Sequence, residues 1–265
     1  MAETARLDAA LAARGLARSR THAARLIADG LVSVDGVQAV KSSQQVLDSN
    51  AIEVAGADHY VSRAAHKLVA ALDAFAIPVA GRTALDVGAS TGGFTQVLCE
   101  RGAARVIALD VGHGQLAAEV AADPRVTVVE GFNARELSPE SLADAVGESL
   151  VPDLVVGDLS FISLTMVIPA LVRTAPAGAD LVLLVKPQFE VGRTGIREGI
   201  VRDPGLRADA VATVLWSAWD AGLGTAGIVS SPILGGAGNH EYLVHLSTLG
   251  SNPTEWLERV SELSR

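Results

Sequence analysis

Among 265 residues there is one cysteine, Cys99, so the chain can form no internal disulfide and offers no second thiolate to a metal. Cys99 lies in the apolar, helix-like run Phe94 to Cys99 and reads as core packing. No stretch of 18 or more apolar residues occurs, which excludes a helical membrane span. The segment Met1 to Leu16 mixes Glu3, Arg6, Asp8 and Arg14 into its apolar pattern and does not fit a signal peptide, so a soluble, cytoplasmic protein is expected. The six histidines are scattered and form no His/Cys cluster at ligand spacing, so no metal is expected. Internal repeats and low-complexity tracts are lacking too. So is a basic excess: the formal net charge of −9 argues, for the chain as a whole, against a nucleic-acid partner. Its distribution argues otherwise, because Arg6, Arg14, Arg18, Arg20 and Arg25 are opposed over that stretch by Asp8 alone. Such a patch can hold a phosphate backbone.

With 49% hydrophobic residues the chain can bury one full core and a second, smaller module. The first sixty residues read as two short helices and a hairpin. Leu7, Leu11 and Leu16, then Ala23, Ala24, Leu26 and Ile27, recur at helical spacing; Ser19 is the expected N-cap of the second helix and Gly30 its stop. Leu31 to Val34 and Val37 to Val40 flank Asp35-Gly36, a pair suited to the positive φ angles of a tight turn, and Ala51 to Val54 is a further extended piece. The peptide from Ser19 to Gly36 resembles the αL RNA-binding motif of a ribosomal protein. That resemblance implies RNA contact through Arg6, Arg18, Arg20 and Lys41.

The expected domains are residues 1–59, a connector at 60–65, and 66–265. From Thr83 onward, short apolar runs alternate with helical stretches: Ala84 to Val87, Val106 to Leu109, Val126 to Val129, Leu154 to Val156, Leu181 to Val185, Gly227 to Val229 and Tyr242 to Leu246, with helices at Phe94 to Arg101 and Leu116 to Ala122. Near-continuous apolar strands separated by helices indicate a doubly wound α/β sheet covered on both faces. The peptide Asp86-Val87-Gly88-Ala89-Ser90-Thr91-Gly92-Gly93-Phe94 follows the first strand and opens a helix, a tight turn over which a ligand can sit. It lacks the G-x-G-x-x-G spacing that a nicotinamide dehydrogenase needs for pyrophosphate; a nucleoside ligand without phosphates tolerates the looser turn. Asp110 ends the second strand, 24 residues after Asp86, and is placed to accept hydrogen bonds from both ribose hydroxyls. Asp86 is expected to face the cationic end of the ligand, directly or through water. Both peptides resemble the cofactor motifs of class I methyltransferases, which implies S-adenosyl-L-methionine bound by Asp86, Gly88 to Phe94, Asp110, Val111, Asn133 and Asp158.

Four residues then stand out: Lys67 in a helix before the sheet, Asp158 after the fourth strand, Lys186 ending the fifth and Glu241 before the last. The ends of parallel strands form the ligand crevice of an open α/β sheet, and an antiparallel last strand would begin on the same edge. In this order the set resembles the tetrad of FtsJ-class ribose 2′-O-methyltransferases. With Asp158-Leu159-Ser160-Phe161-Ile162-Ser163, Lys186-Pro187-Gln188-Phe189-Glu190, Val61-Ser62-Arg63 and Gly238-Asn239-His240-Glu241-Tyr242, the chain closely resembles the TlyA family over nearly its whole length.

That resemblance implies a Rossmann-like methyltransferase domain behind a small α+β RNA-binding domain, and methylation of cytidine ribose in small- and large-subunit ribosomal RNA. A ribose hydroxyl is a poor nucleophile until its proton is removed, and lysine suits that task when partly desolvated. On this reading Lys186 is the base, Lys67 stabilises the oxygen, and Asp158 and Glu241 orient them. Arg63, Arg135 and Arg193 are the expected phosphate contacts at the mouth. A monomer is expected. Two other classes compete: a membrane-active hemolysin, a label the family carries, which finds neither a span nor a strongly basic amphipathic helix here, and a non-catalytic ribosome-assembly factor, against which the intact tetrad stands.

Overall fold

The computed structural model describes the chain except residues 1–3, 18, 29, 55–58, 193–194, 197 and 236–237. It divides into two compact units, Met1–His59 and Tyr60–Arg265.

In the first unit, strand β1 (Thr4–Arg6) leads into helices α1 (Leu7–Ala13) and α2 (Arg20–Ala28), followed by β2 (Val32–Val34), β3 (Val37–Gln38), β4 (Gln45–Leu47) and β5 (Ile52–Val54). Leu7, Leu11, Ala23, Ile27, Val32 and Val46 form its core. Ser19 Oγ accepts from the His22 amide at 3.1 Å, the first-turn capping expected of it. Asp35 and Gly36 both take positive φ, 50° and 77°, and turn β2 into β3. The Asp35 carboxylate then accepts from Asn50 Nδ2 and the Ala51 amide, fixing β5 on the far side of β2. The antiparallel pair β1–β4 escaped the sequence reading because three-residue strands carry no period long enough to detect.

The second unit begins with α3 (Ala64–Phe75). It continues through β6 (Thr83–Val87), α4 (Gly93–Glu100), β7 (Arg105–Leu109), α5 (Ala118–Ala121), β8 (Val126–Val129), α6 (Pro139–Val146), β9 (Leu154–Gly157), α7 (Ile168–Thr174), β10 (Asp180–Val185), α8 (Pro187–Glu190), α9 (Pro204–Asp220), β11 (Gly224–Ser230), β12 (Tyr242–Ser247) and α10 (Leu257–Leu263). The sheet order is β11-β12-β10-β9-β6-β7-β8, parallel except for β12, which runs antiparallel to both neighbours. Alternate residues of each strand feed opposite cores. Leu85 and Val87 of β6, with Leu181, Leu183 and Val185 of β10, face a cluster that includes α7 and α9; Ala84, Val182 and Leu184 face one that includes α3 and α4. Burial on both faces is why these strands read as unbroken apolar runs. Residues 60–65 pack into this unit: Val61 is buried, its amide donates to Gln96 Oε1 at 2.8 Å, and Ala65 already lies inside α3.

At the edge of the sheet away from the strands' C-terminal ends, Arg82 ties three chain segments together. Its guanidinium donates to Asp180 at 2.6 Å, to Asp153 at 3.2 Å and to the Asp153 carbonyl, while His245 Nε2 lies 2.8 Å from the other oxygen of Asp180. Arg82→Ala removes charge-assisted bonds and leaves Asp180 with His245 alone, so urea unfolding should show a loss of about 1–3 kcal/mol; an unchanged midpoint would mean that solvent replaces the guanidinium fully.

Candidate active site

The ends of β6, β7, β9 and β10 and the start of β12 meet at one edge of the sheet, and each delivers a side chain. The turn after β6 rises through Gly88, whose φ is +83° and at which a Cβ would lie 3.0 Å from the Asp158 carbonyl oxygen. The backbone of this loop therefore lies so close to the end of β9 that a side chain would have to displace the Asp158 carbonyl by a few tenths of an ångström, and the positive φ disfavours one as well. Gly92, with φ +96°, is the N-cap of α4, and a Cβ there would strike Leu116 at 2.8 Å. Gly92 thus shapes the turn without lining the cleft.

Two adjoining hollows result. One, about 540 Å³, is walled by Leu109, Val111, Phe132, Leu159 and Ile162 and carries Asp110 and Asn133 on its polar side. The other, about 160 Å³, is lined by Ala89, Thr91, Gly93 and Phe94 and ends at Lys186. Gly88, Ser90, Asp158 and Ser160 belong to both. Asp110 Oδ2 accepts from the Ser90 amide and Oδ1 from the Gly112 amide, each at 2.8 Å. Its remaining lone pairs face the larger hollow, so a nucleoside with two vicinal hydroxyls fits there, its base against the apolar wall.

Asp86 lines neither hollow. It is fully buried below the cleft, where Thr95 Oγ1 of α4 donates to Oδ2 at 2.6 Å and Oδ1 has no partner. Burial, reinforced by the nearby Asp158 and Asp110, pushes its carboxyl up to about 7.

The four charged residues come together. Lys67 Nζ donates to Glu241 Oε2 at 2.6 Å and lies 3.8 Å from Asp158 Oδ2; Lys186 Nζ lies 2.6 Å from Asp158 Oδ1 and donates to Ser160 Oγ at 2.7 Å. Lys67, Lys186 and Glu241 are all buried. Only Asp158 and Lys186 reach the wall of the hollows; Lys67 and Glu241 stand behind them. Sequence reasoning missed Ser160 as a partner of Lys186, and it missed Glu190. The Glu190 carboxylate accepts from Ser163 Oγ at 2.6 Å and from the Leu164 amide at 2.9 Å, locking the loop that carries Asp158 and Ser160 to the short helix after Lys186. Desolvation raises the Glu190 carboxyl above its ordinary range. Both residues stand in the peptides at 158–163 and 186–190, but their pairing spans 26 or more positions and leaves no local pattern.

Of the expected RNA contacts, Arg63 and Arg135 are exposed in the second unit. In the first, Lys41 is exposed, and Arg6 and Arg20 both bind the buried Asp8 carboxylate, at 3.0 and 3.3 Å, while keeping much of their surface in water. Arg14 is consumed within the fold, donating to the Leu47 and Asn50 carbonyls. Arg18 and Arg193 lie outside the described residues.

No group of three or more metal-ligating side chains occurs, and no helix is long and apolar enough to cross a membrane, among the described residues. Residues 60–248 match the profile of the FtsJ-like methyltransferase family, and residues 5–52 that of the S4 domain. The chain is 54% identical to the 16S/23S rRNA (cytidine-2′-O)-methyltransferase TlyA of Mycobacterium tuberculosis, over 94% of its own length and 91% of the relative's. It is 39% identical to a Brachyspira hyodysenteriae protein named Hemolysin A, over 91% of this chain and 98% of that one. The solved structure of a candidate hemolysin from Streptococcus thermophilus matches it with a TM-score of 0.76 at 36% identity, covering 100% of this chain and 96% of the other. The chain belongs to the TlyA family, an S4 domain followed by an FtsJ-like, S-adenosylmethionine-dependent methyltransferase domain.

Proposed function

We propose that this enzyme methylates the ribose 2′-hydroxyl of cytidines in small- and large-subunit ribosomal RNA, acting as a cytoplasmic monomer away from any membrane. The observation that carries the reading is the position of the Lys186 amine, at the end of the smaller hollow and held there by Asp158 and Ser160, which line both hollows. S-adenosylmethionine supplies a methyl group on a sulfonium centre that departs as a neutral thioether. Asp110 holds its ribose, and the wall of Val111, Phe132 and Ile162 receives its adenine.

Lys186, an ammonium at rest beside Asp158, takes the proton of the ribose hydroxyl as the oxygen attacks, once its own proton has been given up to solvent. Asp158 orients Lys186 and shares its charge. Lys67 is a positioning residue: its ammonium is spent on Glu241 and Asp158, so it holds the Asp158 carboxylate in place and does not meet the ribose. The exposed arginines Arg63 and Arg135 contact phosphates at the mouth, together with Arg193, which follows the Lys186 peptide in sequence, and Arg6, Arg18, Arg20 and Lys41 of the S4 domain dock on folded RNA. A target nucleotide within a helix must be turned out of its stack to reach Lys186. The name Hemolysin A belongs to a relative; vesicles exposed to micromolar protein should retain their contents, and release would favour the membrane-active reading instead.

Lys186→Ala should lower methyl transfer to ribosomal subunits by about a hundredfold or more while calorimetry shows cofactor affinity essentially kept. Transfer at the parental rate would remove Lys186 from the chemistry. Mapping 2′-O-methyl positions in ribosomes made with and without the protein tests the substrate.

Asp86 supplies a second test. Its carboxyl is raised well above the unfolded value, so the stabilisation from holding it neutral is full below about pH 4 and is lost as pH rises through about 7. Asp86→Asn should therefore gain stability relative to the parent as pH is raised from about 5 to about 8. Parallel unfolding midpoints across that range would show that Asp86 does not titrate there.

A further inference from the structure

Beside the cofactor cleft lies a third hollow, of about 370 Å³, with predominantly polar walls. It shares Asn133 with the cleft and is bounded by Arg135 in the short 3-10 turn after β8 and by Arg173 in the last turn of α7. Six of the eleven described arginines of this unit are committed elsewhere: Arg82, Arg101, Arg105, Arg125, Arg202 and Arg259 each meet a carboxylate. Arg135 and Arg173 meet none among the described residues. Among the described residues the Arg173 guanidinium donates only to the Leu137 carbonyl, at 3.4 Å, and that of Arg135 has no acceptor, its bond to Asn133 Oδ1 coming from the backbone amide. One carboxylate, Glu136, lines the hollow, and its Oε1 accepts from Asn133 Nδ2 at 3.4 Å.

In a chain with nine more acidic than basic side chains, two exposed guanidiniums converging on one cavity without a carboxylate partner are surplus to the fold. A guanidinium presents a planar fork of donors, which matches the oxygens of a phosphodiester. The cavity's position fixes which phosphodiester, because it opens beside Asn133 at the rim of the methyl-donor site. We infer that Arg135 and Arg173 together form a subsite for a backbone phosphate of the RNA strand next to the target nucleotide, with Arg173 as a substrate-positioning residue. This rests on the proposed action on RNA and adds a specific clamp to it. Holding the flanking phosphate sets where the target ribose sits relative to Lys186, and the contact is made to the backbone, so it carries no base preference.

The test uses the full-length enzyme with ribosomal subunits and measures the dissociation constant for RNA against salt, together with kcat and KM. Arg173→Gln should weaken RNA binding several-fold and reduce the salt slope by about one phosphate contact, roughly 0.7–0.9. The double variant Arg135→Gln/Arg173→Gln should lose about twice that slope. KM should rise in both while cofactor affinity stays at the parental value. Arg173→Lys, which keeps the charge but not the fork, should restore most of the slope and only part of the affinity. Arg259→Gln on α10, whose side chain pairs with Glu262, is the control and should leave both unchanged. If the parent methylates RNA and the double variant binds it with the same affinity and slope, the subsite is overturned and the enzyme reading stands. If the parent neither binds nor methylates RNA, both fall together.

Discussion

Everything at the catalytic edge depends on the Asp158 carboxylate standing between two buried ammonium groups, with Lys186 at 2.6 Å from one oxygen and Lys67 at 3.8 Å from the other. Two lysines can be taken out of water at one place only if matching negative charge is buried with them, because the desolvation of each ion is otherwise uncompensated. Glu241 completes the balance behind Lys67. The four groups therefore act as one unit: removing any one of them leaves an unpaired buried charge and disturbs the others. Such an arrangement is a poor way to stabilise a fold and a good way to hold an amine in a fixed, partly dry position.

The backbone makes this possible. Parallel strands deliver Asp158 and Lys186 to the same edge, and the antiparallel β12 brings Glu241 back to it from the opposite direction. Gly88 lets the turn after β6 lie against the Asp158 carbonyl, so the hollow that receives the donor and the one that ends at Lys186 merge. A side chain at that point would displace the Asp158 carbonyl by a few tenths of an ångström, and Asp158 carries the carboxylate that lies 2.6 Å from Lys186. Glu190 acts from the other side by fastening the loop after β9 to α8.

How much of this was legible follows from the range of each signal. Strand ends were readable because residues buried on both faces leave long apolar runs whose termini point to Asp86, Asp110, Asp158 and Lys186. The turn at Asp35-Gly36 and the cap at Ser19 were readable because their chemistry is local. What a side chain does after arriving was not. Asp86 stands at a strand end facing the donor site, yet Thr95 draws it under the floor. Lys67 was expected to stabilise the ribose oxygen, and nothing local shows that its ammonium bonds Glu241, 174 positions away. The basic run near the N-terminus shrinks in the folded unit, since Asp8 engages Arg6 and Arg20 and main-chain carbonyls absorb Arg14. Each depends on a partner that spacing along the chain does not reveal.

The same accounting resolves how an acidic protein can serve an RNA substrate. Net charge governs long-range attraction, and at −9 this chain gains little from it. Most carboxylates that meet arginines do so in pairs that are neutral at a distance. Arginines left without partners then count for more than their number, because only an RNA whose phosphates fall on them is held. The consequence is selection by register more than by bulk affinity. That suits an enzyme whose amine must meet a single ribose hydroxyl among the thousands that a ribosomal RNA displays.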